Sequence, residues 1–312
     1  MELLLADQAL FSSCLITGTL GLALNLFLIT VVIRKKELRQ AEYMIFILNR
    51  SLVDVVYSLH AVSLQPLGIL YWIEQPAYCS VAGGIANSLI LMMIMLEPTL
   101  ALNRYIAICQ GHLYERIYRQ RNVYAMCVLV WVLGAGFTIP HVVKGSLGKV
   151  PGYICGIKIL RDSIVVLFLS DYPVFILSYT LVCYCYFKIY LVLKRHQEQI
   201  ATTIIGQSQL QDDKELLRYI GAVAIVPLVI ESPLVIAAIF RMYDPTMVSD
   251  VLMFFTTLLY ILCSVISPIL TVLMVKPIRR EAKIVMKKMT KVQASTPVVQ
   301  LHLGSQGSAG GF

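Results

Sequence analysis

Residues 97–114 read EPTLALNRYIAICQGHLY: a long apolar run ends on Asn103-Arg104-Tyr105 and passes at once into a basic, tyrosine-containing loop. An arginine on the rim of a lipid-soluble segment is costly unless it has a partner or a task. Glu97 stands two helical turns earlier. Pro98 follows it and removes a backbone hydrogen bond, so a local kink is expected there.

Working outward, 58% of the 312 residues are hydrophobic, only 14% are charged, and the mean hydropathy is positive. That balance is too apolar for a soluble domain of this length and indicates a polytopic membrane protein. The net charge of +8 would also suit a nucleic-acid partner. Basic residues of membrane proteins collect in cytoplasmic loops, however, so the lipid bilayer is the expected partner and no nucleic acid is.

Apolar runs of about 20 residues predict seven helices, near 9–33, 42–66, 77–109, 122–142, 163–193, 214–240 and 248–275. The first reads as a span that stays in the membrane, not as a cleaved signal. Cations crowd alternate loops: Arg34, Lys35, Lys36 and Arg39, then Arg116, Arg119 and Arg121, then Lys194 and Arg195. The positive-inside rule therefore predicts an extracellular N-terminus and a cytoplasmic C-terminus. Residues 276–289, KPIRREAKIVMKKM, mix apolar and basic positions as a helix lying on the inner leaflet would. A receptor-sized unit over 1–289 and a flexible cytoplasmic tail over 290–312, rich in Ser, Gln and Gly, complete the expected domain organisation.

Six of the eight cysteines (Cys14, Cys109, Cys127, Cys183, Cys185, Cys263) sit in or beside apolar helices without the clustered spacing a metal site needs, so neither metal nor cofactor is expected. Cys79 and Cys155 lie in short polar stretches between spans. Cys79 opens the third span and Arg104 closes it, roughly 37 Å apart along a helix, which is a full crossing. With the cysteine outside, in an oxidising compartment, a Cys79–Cys155 disulfide would pin the loop 143–162 over the mouth of the bundle. Two free thiols are the alternative.

Asn25, Asn49 with Asp54, the Cys79-to-Arg104 interval, Trp131, Pro233 and Pro268 together resemble rhodopsin-like G protein-coupled receptors over about residues 10–290. Within that class NRYIAICQGHLYERIYRQRN, WVLGAGFTIPH and YCYFKIYLVLK are most similar to melatonin receptors and related invertebrate orphan receptors. NRYIAIC also resembles odorant receptors. The resemblance implies an all-α bundle of seven transmembrane helices in the plasma membrane, an extracellular small-molecule ligand and a heterotrimeric G protein as partners.

It also implies roles for particular residues. Arg104 matches the family arginine that an acid on the sixth helix holds at rest and that a G protein meets on activation. Asn103 replaces the usual adjacent acid, Tyr105 completes the motif, and Asp213 stands where the restraining acid belongs, with a solvated surface acid as the alternative. Asp54 matches the aspartate that binds sodium and couples helix motion. Arg50, four residues earlier, shares its helix face. Arg50 and Glu97 occupy facing positions that are apolar in most of the family, and either charge alone would be uncompensated, so an Arg50, Asp54, Glu97 cluster is expected. The alternative is that one of them snorkels to water. On the sixth helix Pro233 matches the hinge proline, and Glu231 replaces the usual tryptophan switch. Glu231 reads either as a proton-exchanging contact to a ligand or as a bond to a neighbouring helix. On the seventh, Pro268 is kept while Ser267 and Thr271 replace the usual asparagine and tyrosine, which removes the normal partner of Tyr186.

The family alignment sets Ala86, Asn87, Ile90, His60, Gln65, His141, Ser170, Thr257 and Leu234 around the outer cavity, with Glu231 at its floor. Ala86 stands where amine receptors carry an aspartate. A small, mostly apolar, neutral or weakly polar ligand follows. His141 reads either as a ligand contact or as a structural histidine bonded to backbone. Lys149, Lys158 and Arg161 leave an anion or peptide as an alternative. Other classes are a chemosensory receptor of the same fold, a non-signalling receptor-like protein, and a secondary transporter, which would show an internal repeat that this chain lacks. No nucleophile, base and third group recur on aligned faces, so an enzyme is not expected.

Overall fold

The computed structural model describes residues 2–71, 76–149, 155–158, 164–200, 225–241, 243–244 and 246–295. Its elements in chain order are α1 (Glu2–Arg34), α2 (Lys36–Gln40), α3 (Glu42–Tyr71), α4 (Pro76–Cys109), α5 (Gly111–Ile117), α6 (Gln120–Val143), β1 (Leu147–Lys149), β2 (Cys155–Ile157), α7 (Ile164–Leu169), α8 (Asp171–Ile200), α9 (225–241), α10 (Asp250–Met274) and α11 (Lys276–Ser295). Six spans among the described residues are long and apolar enough to cross a bilayer: Gln8–Arg34, Glu42–Leu67, Ala77–Cys109, Gln120–Val143, Val165–His196 and Val251–Met274. The sixth predicted helix is represented among the described residues by α9, roughly 26 Å long at 1.5 Å per residue. It supplies Leu234 and Ala237 to buried packing, the latter with Met253 of α10. The predicted stretch 214–224 lies outside the described residues.

Packing between helices is apolar at the centre and selectively polar. Val53, Tyr57, Leu89, Met92, Met93, Leu96, Val130 and Tyr260 form one buried cluster joining α3, α4, α6 and α10. Asn25 Nδ2 donates to the Gly21 and Ser264 carbonyls at 2.9 and 3.0 Å, tying α1 to α10. Trp131 Nε1 donates to Asn49 Oδ1 at 2.9 Å, tying α6 to α3. Val128, Val132 and Ile139 on the outward side of α6 stay about 60% exposed. That surface suits hydrocarbon, which needs no polar cover.

Three features depart from the sequence reading. The stretches expected as loops at 34–41 and 110–121 each hold a short helix. Leu38 of α2 is buried with Leu28, Val31 and Ile278. Tyr114 of α5 stacks on Tyr118, which is 2% exposed and meets Phe46 edge-on. Next, Gly145 turns the chain out of α6 at φ 63°, and β1 and β2 pair antiparallel with Gly148 opposite Gly156 and Lys149 opposite Cys155. Finally, α11 continues to Ser295, beyond the expected end at 289, while α4 carries Pro98 within one helix, in keeping with the predicted span 77–109.

The last helix docks by Ile278, Ala282 and Val285 against residues of α1 and α3, while Lys283, Ile284 and Met286 remain exposed. Lys35 Nζ meets Glu281 Oε1 at 2.9 Å. That hydrogen bond and the acid's charge raise the Lys35 ammonium above its ordinary value. Between α9 and α10, the Thr246 N–H and hydroxyl both donate to Asp244 Oδ1, which holds that carboxyl below its ordinary value.

Candidate functional site

At the middle of the bundle α3 and α4 bring three charges together. Arg50 Nη1 donates to Glu97 Oε1 at 2.7 Å and to the Met93 carbonyl at 2.9 Å, and its Nε donates to Asp54 Oδ2 at 3.2 Å. Arg50, Asp54 and Glu97 are 4%, 0% and 8% exposed, so none of them reaches water by snorkelling. Helical geometry puts Arg50 directly over Asp54, one turn apart, and the facing Glu97 closes the triad from α4. Arg50 Nη2 and Asp54 Oδ1 are buried without hydrogen-bond partners. A chamber of about 60 Å³ borders the cluster, lined by Arg50, Ser51, Glu97, Arg104, Tyr186, Cys263, Ser267 and Thr271 among others.

One layer further out, Glu231 of α9 accepts from the Tyr179 hydroxyl of α8 and from Cys263 Sγ of α10 at 3.5 Å. Three helices therefore meet on one carboxylate, which is 1% exposed. Pro233 is two residues on in the same helix, and Pro268 is buried within α10.

Outside that layer lies a cavity of about 210 Å³ bounded by α3, α4, α7, α8, α9 and α10 and by β2. Cys155 of β2 is disulfide-bonded to Cys79 of α4. Gln65 of α3 grips the same residue through both backbone groups, donating to its carbonyl at 3.1 Å and accepting from its N–H at 2.9 Å. A Cβ on Gly83 would come within 2.9 Å of the Gly156 backbone, so glycine is what lets β2 lie against α4. Asn87 and Thr257 line this cavity, with Ala86, Ile90 and Leu234.

His60, His141, Ser170 and Glu231 do not line it. The polar side chains take bonds within the protein instead. His60 Nε2 donates to the Ala82 carbonyl at 2.9 Å. His141, 0% exposed, sets Nδ1 at 3.1 Å from Ser146 Oγ and Nε2 at 3.2 Å from Ser170 Oγ and 3.1 Å from Asp171 Oδ2. The histidine thus fastens the end of α6 to the start of α8. Sequence reasoning overlooked Asp171, Tyr179 and Tyr260. An acid opening a helix and tyrosines within apolar helices are ordinary features that carry no signal by themselves.

At the inner rim Asn103 is buried and its Nδ2 lies 3.4 Å from the Tyr114 hydroxyl. Tyr105 accepts from Gln110 Nε2 at 3.2 Å. The Arg104 guanidinium sits 4.8 Å from the centre of the Tyr43 ring, a cation–π contact. Asp213 lies outside the described residues, as do Arg161 and the side chain of Lys149.

A helical bundle with a roofed cavity at one end and an arginine at the rim of the other is the architecture of a multi-pass membrane receptor. The model of the seven-transmembrane receptor (rhodopsin family) matches residues 24–270, and the chain belongs to that family. It is a receptor and not an enzyme. Among curated relatives, melatonin receptor type 1B-A of Danio rerio is 26% identical over 205 residues, covering 65% of this chain and 69% of the relative. Melatonin receptor type 1A of Gallus gallus is 29% identical over 175 residues, covering 54% and 48%. Such alignments thus span about half to two thirds of those relatives' length. The crystal structure of squid rhodopsin aligns with a TM-score of 0.74 at 18% identity, covering 94% of this chain and 89% of that one, a likeness of fold.

Proposed function

We propose that this protein lies in the plasma membrane with its N-terminus outside, binds a small, mostly apolar extracellular ligand, and activates a heterotrimeric G protein through its cytoplasmic rim. The observation that carries the reading is α4. Its outer end holds a covalently tethered roof over the 210 Å³ cavity, and its inner end presents Arg104. One rigid helix thus connects the two faces. The cavity is at the small end of ligand sites, and its wall is largely apolar.

Ligand binding acts by population shift, favouring an arrangement in which the inner end of the α9 helix moves out and frees Arg104 for the G protein. Asp213 is the proposed resting partner of Arg104. The Arg50, Asp54 and Glu97 triad supplies its own cation beside Asp54, which weakens any need for sodium there. Basic residues on α2, on and after α5, and on α11 support the proposed orientation.

The test is G protein activation in cells expressing the full chain, under a panel of small neutral compounds headed by melatonin, the compound for which the relatives are named. A response abolished in Arg104→Ala with ligand binding retained is the expected result. Binding that never activates any G protein would mean a receptor-like protein that does not signal.

A further inference from the structure

We propose that a groove between α4 and α6, on the lipid-facing side of the bundle, binds one phospholipid of the leaflet on the hairpin side, with an acyl chain in the groove and the phosphate on Lys144. The groove has a volume of about 390 Å³ and is bounded by α4, α6, the turn at Gly145 and Leu147 of β1. It shares no lining residue with the roofed cavity inside the bundle, so the proposal does not depend on the ligand bound there.

The residues at the contact of the two helices make the gap. At Gly134 a Cβ would come within 2.4 Å of Met92 Cγ, so α6 touches α4 there. Ser88 Oγ donates to Thr138 Oγ1 at 2.9 Å and ties the helices beside that contact. Gly84 and Ala135 on the facing walls are too small to fill the space that remains. Leu147 closes the upper end, its Cδ1 lying 3.3 Å from where a Gly84 Cβ would stand. From Ser80 to Ser88 the wall runs about 12 Å along α4, most of the roughly 15 Å that one leaflet contributes to a hydrocarbon core.

The occupant follows from the wall and from the charge above it. Val81, Ile139 and Val142 are exposed at the mouth, which is continuous with the lipid-facing side of α6. The hydroxyls of the wall are engaged within the protein: Ser80 Oγ donates to the Leu147 carbonyl at 3.0 Å, and Thr138 Oγ1 to the Gly134 carbonyl at 3.3 Å. Such a wall suits a hydrocarbon chain, whereas a peptide would bring backbone groups that find no partners there. A helix of a second copy, about 10 Å across, does not enter a gap whose floor is a helix contact. Residues 143–158 carry Lys144, Lys149 and Lys158 and no acid. Lys144 is exposed and stands between Val142 and Gly145, both of which border the groove. A sterol has no charge to set against that ammonium; a phospholipid has its phosphate.

The experiment is native mass spectrometry of the purified full-length receptor in detergent micelles. It is titrated with dioleoylphosphatidylglycerol, with dioleoylglycerol, which has the same chains and no phosphate, and with cholesterol. The wild type is expected to hold one phosphatidylglycerol about fivefold more tightly than dioleoylglycerol, the worth of one lysine near an anionic headgroup. Lys144→Ala should erase that preference and leave dioleoylglycerol binding unchanged. Ala135→Phe places a ring in the groove from an exposed position and should weaken both lipids about tenfold. Val128→Phe, equally lipid-facing but outside the groove, should weaken neither. Phosphatidylglycerol retained in Ala135→Phe, lost equally in Val128→Phe, or still preferred in Lys144→Ala overturns the inference. So does tighter binding of cholesterol, or a receptor dimer that Ala135→Phe dissociates. Lys144 lies past the end of α6 and its side chain is exposed, so Lys144→Ala decides the point even if Ala135→Phe melts lower than the wild type.

Discussion

Arg50 is the residue on which the middle of the membrane depends, because it is within hydrogen-bond distance of two carboxylates and the Met93 carbonyl at once. Arg50→Met would strand Asp54 and Glu97, and breaking such a buried arrangement costs about 3–5 kcal/mol. The expected outcome is near-complete loss of cell-surface receptor, counted by flow cytometry. Arg50→Met with Glu97→Leu should recover part of it, and adding Asp54→Asn more. No recovery in the multiple variants would argue against a shared ion cluster. A simple exchange of Arg50 and Glu97 is the poorer test, since it sets a glutamate beside Asp54. Arg50 and Glu97 were legible in the sequence because a charge inside an apolar run stands out. Their mutual distance was not, since nothing local says how two helices are rotated against each other.

At the scale of elements, the hairpin of β1 and β2 is held to the bundle by the Cys79–Cys155 bond, by Gln65 and by close contact with Gly83. Gly83→Ala would push its methyl against the Gly156 backbone, which cannot swing aside as a side chain can. Overpacking of this kind costs about 1–3 kcal/mol. Gly84→Ala should be tolerated, because the nearest atom to its Cβ is Leu147 Cδ1 at 3.3 Å, the end of a flexible side chain. Thermal melts of the two variants, run side by side, are expected to differ by several degrees. Equal melts would mean that β2 does not rest on α4. The cysteine pair was readable from its place between spans, whereas the hairpin was not. Two three-residue strands carry too little pattern, and the pairing is imposed by the tether.

At the scale of the whole molecule, Glu231 stands between the outer cavity and the inner chamber and fastens α8, α9 and α10 together. Loosening that joint should shift the resting equilibrium toward the form in which the inner ends part. Glu231→Leu and Tyr179→Phe are each expected to raise ligand-free nucleotide exchange on the G protein roughly tenfold, about 1.4 kcal/mol. The double variant should do no more than either alone, because both remove one shared bond. Unchanged basal exchange in both singles would place the switch elsewhere. The sequence by itself determined the membrane environment, the seven apolar runs, the uneven sharing of cations among the loops between them, and the rim arginine. All of these follow from local apolarity and from charges that hydrocarbon will not take up. Only the tertiary structure decided which polar groups find hydrogen-bond partners inside the protein and which are buried without one. His141 and Glu231 turned inward to neighbouring helices, while the Tyr260 and Thr257 hydroxyls were buried without a partner. That division rests on the rotation and depth of each helix in the bundle, which packing sets and no single segment encodes.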